Sequence, residues 1–280
     1  MPFAPHDPVV APDWLAQRLG DSDLVIVDCR WNLANPALAR AQYQAAHIPD
    51  AYYLDMEDDL SGPKHDHGGR HPLPEPQAWS HIMNRIGVRP DTRVVAYDAD
   101  GVGAARLWWL MNYFGHERTY VLNGGLNAWT QAGHPLTSTP ALPQSGRFVA
   151  HPDPSLTISL HDLLTAPAAP RTLVDARSAD RYRGETEPID ARAGHIPQAI
   201  NISWADMLDG PARYRDATDL RQTWSPIGDT GEVVVYCGSG VSACVNILAM
   251  HRVGRSARLY PGSWSDWSSY PHLPVAVGPF

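Results

Sequence analysis

Apolar residues in this chain fall into short, almost unbroken runs, and polar, Gly- and Pro-rich stretches separate them. Leu24-Val25-Ile26-Val27, Val94-Val95-Ala96-Tyr97, Leu173-Val174 and Val233-Val234-Val235-Tyr236 are the clearest. A run without alternation reads as a strand covered on both faces, the pattern of parallel sheets. The stretches Val102 to Phe114 and Val241 to Val253 carry apolar residues at helical spacing, and each follows such a strand. Strands alternating with helices predict an α/β fold, a mostly parallel sheet with helices on both faces. Functional sites in such sheets lie beyond the C-terminal strand ends.

The pattern occurs twice. A strand ends in Asp28-Cys29-Arg30 and again in Asp175-Ala176-Arg177. His47-Ile48-Pro49 returns as His195-Ile196-Pro197, Val94 to Asp98 as Val233 to Cys237, and Gly124 to Trp129 as Gly262 to Trp267. The offsets, 147 from Asp28 to Asp175, 148 from His47 to His195, 139 from Asp98 to Cys237 and 138 from Gly124 to Gly262, drift only by loop-sized steps. Ordered repetition predicts two homologous domains, each large enough for its own core. The stretch Thr137 to Gly146 is rich in Pro, Ser and Thr and lacks apolar periodicity. It divides the chain into a first domain over 1–139, a linker over 140–150 and a second domain over 151–280.

Composition narrows the function classes. With 44% hydrophobic residues, the 280-residue chain is that of a folded protein. A net charge of −8 without a basic run speaks against nucleic-acid binding. No apolar stretch nears the roughly 20 residues that span a bilayer, so no membrane partner is expected. The opening residues, Met1-Pro2-Phe3-Ala4-Pro5-His6-Asp7, lack a basic segment followed by an apolar one, which reads against a signal peptide. Three cysteines make no disulfide framework and fit a reducing cytoplasm, where an exposed Cys is a candidate for chemistry.

The candidate chemistry is at Cys237-Gly238-Ser239-Gly240-Val241-Ser242-Ala243-Cys244. A thiol at a strand tip, in a Gly-rich loop that opens a helix, faces backbone N–H groups that favour a sulfur anion. Cys237 is therefore the candidate nucleophile. Gly238, Gly240, Val241, Ser242 and Ala243 would supply the cradle, with Ser242 also at the helix start.

The Val-Asp-Xaa-Arg strand ends, the two His-Ile-Pro turns, the Cys loop and the Gly-Xaa-Xaa-Xaa-Xaa-Trp segments together resemble the rhodanese superfamily in tandem form, over nearly the whole chain. The resemblance implies a sulfurtransferase with a degenerate first domain, since Asp98 stands where the second has Cys237. Cys237 would take sulfane sulfur from a donor as a persulfide and pass it to a thiophilic acceptor such as cyanide or a thiol. The uncharged loop resembles that of 3-mercaptopyruvate enzymes, with Ser242 for their Thr, more than the cationic loop of thiosulfate-specific ones. The resemblance also implies that Arg181 binds the donor carboxylate, with Arg192 the candidate second arginine and Arg183 a weaker one. Ser239 would join a proton relay with His47 across the domains, or else bond its own loop backbone. No acid partner for His47 is visible in the sequence. No metal or organic cofactor is expected; a thiol reductant such as thioredoxin is a candidate partner.

Other readings remain beside this one. Non-catalytic sulfur carriage to a partner protein would use the same Cys. A phosphatase reading of the loop needs Arg where Ala243 stands. Cys244, two turns along the helix, reads as core rather than a resolving thiol, as does Cys29. Asp28, Arg30, Asp175, Arg177 and His195 read as structural, and Trp264 and Trp267 as core or pocket wall. The run His65 to His71 has a metal-like composition but no Cys at zinc spacing. It reads as an inter-domain loop whose Gly68-Gly69-Arg70-His71-Pro72 end borders the site.

Overall fold

The computed structural model describes residues 7–165, 170–228 and 231–279. Residues 1–6, most of the segment read above for a leader, lie outside them. Two parallel sheets form. The first has the order Val9–Val10, Thr119–Leu122, Arg93–Tyr97, Leu24–Asp28, Ala51–Tyr53. The second runs Arg258–Leu259, Glu232–Tyr236, Arg171–Asp175, Ile200–Asn201. The registers repeat as well, with Asp28 beside Tyr97 and Asp175 beside Tyr236. A small antiparallel hairpin, Leu208–Gly210 with Arg213–Tyr214, is added to the second half.

Alternate residues of each central strand enter different cores, which explains the unbroken apolar runs. Val25, Val27, Val94 and Ala96 face one side, and Ile26, Val95 and Tyr97 the other. In the second sheet Val233 and Val235 oppose Val234 and Tyr236 in the same way. The inner faces of both sheets share a single core. At its centre helix Val102–Tyr113 packs on helix Ala243–Arg252. All residues of Val102–Tyr113 but the last are buried, as expected of a helix apolar on every side. The second helix begins at Ala243 rather than Val241, because Val241 and Ser242 are still in the turn that follows the strand.

The stretch expected as a linker is laid along the first sheet. Tyr52 donates to Leu142 O (2.5 Å), and Asn84 accepts from the Phe148 N–H (2.6 Å). Among the described residues no helix is long and apolar enough to cross a membrane.

The His-Ile-Pro turns are structural fixtures. In each, the His ring stacks on a tyrosine and its Nδ1 bonds that tyrosine's carbonyl: His47 with Tyr43, 2.6 Å, and His195 with Tyr182, 2.7 Å. The following Ile N–H bonds the hydroxyl of Tyr97 or Tyr236 at the strand end. Arg30 and Arg177 fork onto Asp28 and Asp175 and reach the carbonyls just before the histidines. These bonds tie the strand tip to the turn in both halves.

Candidate active site

The two halves show what the loop after strand Arg93–Tyr97, and its repeat after Glu232–Tyr236, is built to hold. In the first half Asp98 sits at the strand tip, fully enclosed. Its carboxylate accepts from the N–H groups of Gly101 (2.7 Å) and Ala104 (2.9 Å). Burial and the nearby Asp100 push its pKa up, against the backbone N–H groups that pull it down. In the second half Cys237 takes that place. The N–H groups of Gly238, Ser239, Gly240, Val241 and Ser242 meet no acceptor among the described residues. The first cradle carries its own carboxylate; the second leaves its donors unfilled beside the Cys237 thiol, where an anion can be received.

The local sequence explains the cradle's shape. Gly240 has φ +76°, and a Cβ there would lie 2.5 Å from the Pro261 carbonyl oxygen. The Cys237 and Gly238 carbonyls accept from the Trp264 and Ser265 N–H groups, and the Cys237 N–H donates to Ser263 Oγ at 3.1 Å. The loop is thus bolted to the Gly262–Trp267 segment, and Cys237, barely exposed, opens into a cavity of about 240 Å³ between the halves. Gly238, Ser239, Val241 and Ser242 line it. Gly240 lies behind, bonded through its carbonyl to Arg106 (3.1 Å), and Ala243 begins the helix.

Ser239 faces His71 of the first half, Oγ to Nδ1 at 2.7 Å, and His71 Nε2 lies 2.8 Å from Glu57 Oε1. Burial pushes the His71 pKa down to about 4, although Glu57 opposes it. Burial raises the Glu57 pKa, but the hydrogen bonds from Lys64 and His71 outweigh it and hold it below the usual range. An ionised Glu57 only accepts, so it fixes the proton of a neutral His71 on Nε2. Nδ1 is then the acceptor, and the Ser239 hydroxyl donates to it. The three groups form a serine–histidine–carboxylate hydrogen-bonded chain whose Ser239 and His71 line the cavity that holds the thiol.

The expected pairing of His47 with Ser239 is corrected by this geometry. His47 is fully buried, with Nδ1 bonded to Tyr43 O and Nε2 to Thr139 O (3.0 Å), and it does not line the cavity. The same turn exists in both halves because both need it structurally. The absence of an acid for His47 stands; the acid in the observed chain is Glu57, fourteen residues before His71, and it serves a different histidine. Sequence spacing does not link them. The loop carrying His71 folds back and docks through Gly68 N–H on Asp266 (2.8 Å) and Arg70 N–H on Ser265 Oγ (3.1 Å).

Arg192 is corrected as well. Its guanidinium is pinned to the carbonyls of Tyr270 (3.1 Å) and Leu273 (3.0 Å), away from the cavity. Arg183 pairs with Glu185 at the surface. Arg181 does line the cavity, with its Nε and Nη2 held by Glu187 and its Nη2 also 3.1 Å from Asp190. Arg70, which the sequence reading left unassigned, joins it on the wall and pairs with Asp190. Cys29 and Cys244 are buried, and burial pushes both thiols up, Cys244 to about 12. Among the described residues no group of three or more His, Cys, Asp or Glu can hold a metal; His67 instead stacks on Tyr270 and bonds Ser269.

The model of the rhodanese-like domain matches this chain twice, at residues 11–132 and 159–270. The chain belongs to the rhodanese family. A Pseudomonas aeruginosa member named "Probable 3-mercaptopyruvate sulfurtransferase" is 43% identical over 273 residues, covering 94% of this chain and 96% of that protein. The mouse thiosulfate sulfurtransferase is 32% identical over 276 residues, 92% of this chain and 91% of its own. Among solved structures, the 3-mercaptopyruvate sulfurtransferase from Leishmania major superimposes with a TM-score of 0.83 at 30% identity, covering 96% of this rhodanese and 76% of that chain. The named donors of these relatives divide between mercaptopyruvate and thiosulfate, so the choice between them rests on the site.

Proposed function

We propose that this chain is a sulfurtransferase that takes sulfur from 3-mercaptopyruvate onto Cys237 and passes the resulting persulfide sulfur to a thiophilic acceptor. The Cys237 thiolate attacks the donor sulfur. An S–S bond forms, the donor's C–S bond breaks, and its electron pair leaves on the enolate of pyruvate. The proton of the donor thiol must reach the enolate carbon, so the products are pyruvate and a Cys237 persulfide anion. The cradle N–H groups hold that anion.

The observation that carries the choice of donor is the Ser239–His71–Glu57 relay beside the thiol. A carbon leaving group needs a proton delivered. Sulfite leaving from thiosulfate needs none, so a proton relay in the cavity has work only with the first donor. An acceptor thiol or cyanide then attacks the outer sulfur and regenerates the thiolate. A thiol reductant such as thioredoxin fits this second half chemically.

The test is thiocyanate formation from cyanide with each donor in parallel, on the wild type and Cys237→Ser. The reading expects mercaptopyruvate to be preferred and both activities to vanish in the variant. A preference for thiosulfate would overturn the donor assignment. Sulfur loading without turnover would move the protein to the carrier class.

A further inference from the structure

The site has an arginine with an unanswered hydrogen-bonding edge. A guanidinium grips a carboxylate best through two parallel N–H groups, and the Nε–Nη2 edge is one such fork. On Arg181 that edge is already taken: Nε and Nη2 both donate to Glu187, and Nη2 also to Asp190. Only Nη1 of Arg181 remains, near the cradle, 3.5 Å from where a Cβ on Gly238 would stand. On Arg70 the arrangement is reversed. Asp190 binds its Nη1, while Nε is buried without an acceptor and Nη2 meets none among the described residues. Arg70 Nη2 lies 3.0 Å from the Cβ position of Gly238, the residue that follows the nucleophile. An enclosed, unpartnered guanidinium N–H is costly to leave so, which marks the place where an acceptor belongs.

Charge argues against a dianionic donor. Arg70, Arg177 and Arg181 are matched on this wall by Asp175, Glu187 and Asp190 through the ion pairs described, while His71 is neutral and Glu57 is paired with Lys64. Asp100 also lines the cavity, with no ion-pair partner among the described residues, so the wall has no surplus of cations for a dianion.

We propose that Arg70, contributed by the first domain, is the residue that recognises the donor carboxylate, and that Arg181 adds a single N–H from the second domain. Asp190 holds the two guanidinium groups side by side across the boundary. This rests on the mercaptopyruvate reading for the identity of the donor, but not for the presence of an anion clamp. Donor binding then requires both domains.

Alkylation of Cys237 tests the clamp without sulfur transfer. Iodoacetate carries a carboxylate and iodoacetamide does not. Their rate ratio would be measured on the wild type, Arg70→Gln, Arg70→Lys and Arg181→Gln, with circular dichroism confirming the fold. One lost charge-assisted contact predicts a ratio lower by roughly 10- to 100-fold in Arg70→Gln. Partial retention is expected in Arg70→Lys and a smaller drop in Arg181→Gln. The KM for mercaptopyruvate should rise in the same order. An equal slowing with both reagents, an unchanged ratio, or a larger drop in Arg181→Gln than in Arg70→Gln would overturn the proposal. A ratio lowered in Arg70→Gln, in a protein whose wild type transfers no sulfur, would sustain the clamp and refute the function.

Discussion

Ser239→Ala separates the relay from the rest of the site. The substitution removes one hydroxyl and leaves Cys237, the cradle backbone and both cavity arginines in place. A positioned proton-transfer group is worth about 10²–10⁴-fold in rate, or about 3–5 kcal/mol. The cavity of about 240 Å³ has room for several waters, and one of them can stand in partly for the lost hydroxyl. The expected loss with mercaptopyruvate is therefore about 10²–10³-fold in kcat. With thiosulfate the change should stay within about 0.5 kcal/mol, roughly a factor of two, because sulfite leaves without a proton. There is a folding cost too: His71, 1% exposed, loses the partner of its Nδ1, which costs about 1–3 kcal/mol of stability. Steady-state kinetics with each donor, run well below the variant's melting temperature, reads the selectivity directly. Equal losses with both donors would refute the relay argument, and no loss with either would show Ser239 to be a loop hydroxyl only.

His71 should also govern stability in acid. Its pKa is depressed by burial to about 4, so the stability tied to its neutral form is complete above pH 6.5 and is lost as pH falls toward 4. Urea unfolding should show up to about 3 kcal/mol lost over that window in the wild type and a flatter profile in His71→Asn. His47→Ala should destabilise by about 2–3 kcal/mol through its two broken ring hydrogen bonds, with an unchanged donor ratio; an altered ratio would restore His47 to the site. Gly240→Ala forces a Cβ against the Pro261 carbonyl at positive φ. It should destabilise by at least about 1 kcal/mol and slow alkylation of Cys237, and an unaffected alkylation rate would show that the cradle shape does not matter.

Much of this was legible because repetition separates framework from chemistry. The strand ends at Asp28 and Asp175 and the two His-Ile-Pro turns recur with the same bonds; the doubling marks Asp28, Asp175 and His195 as scaffold in the sequence, and it applies equally to His47, which the resemblance instead placed in the relay. The unbroken apolar runs foretold sheets buried on both faces, and Cys237 stood out because its counterpart is Asp98. The relay was harder to see. Glu57 and His71 come from one irregular loop and Ser239 from the other half, and no helical or strand period relates them. The Gly68 to Pro72 segment carried the usable signal, a pair of glycines beside Arg70 and His71, and it was read as bordering the site without roles for its residues. Arg192 was misjudged because chain proximity to the His-Ile-Pro turn says nothing about carbonyls brought near by Tyr270 and Leu273. Arg70 and Arg181 show the same limit, since which edge of a guanidinium is free depends on carboxylates placed by tertiary packing.

The central claim is that sulfur passes through Cys237, and intact-protein mass spectrometry after a single addition of mercaptopyruvate without acceptor tests it most directly. The account predicts the mass of one sulfur atom added per chain, located at Cys237 by peptide mapping, an equal amount of pyruvate released, and neither in Cys237→Ser. Added sulfur on Cys29 or Cys244, or pyruvate released at an undiminished rate by Cys237→Ser, would contradict it.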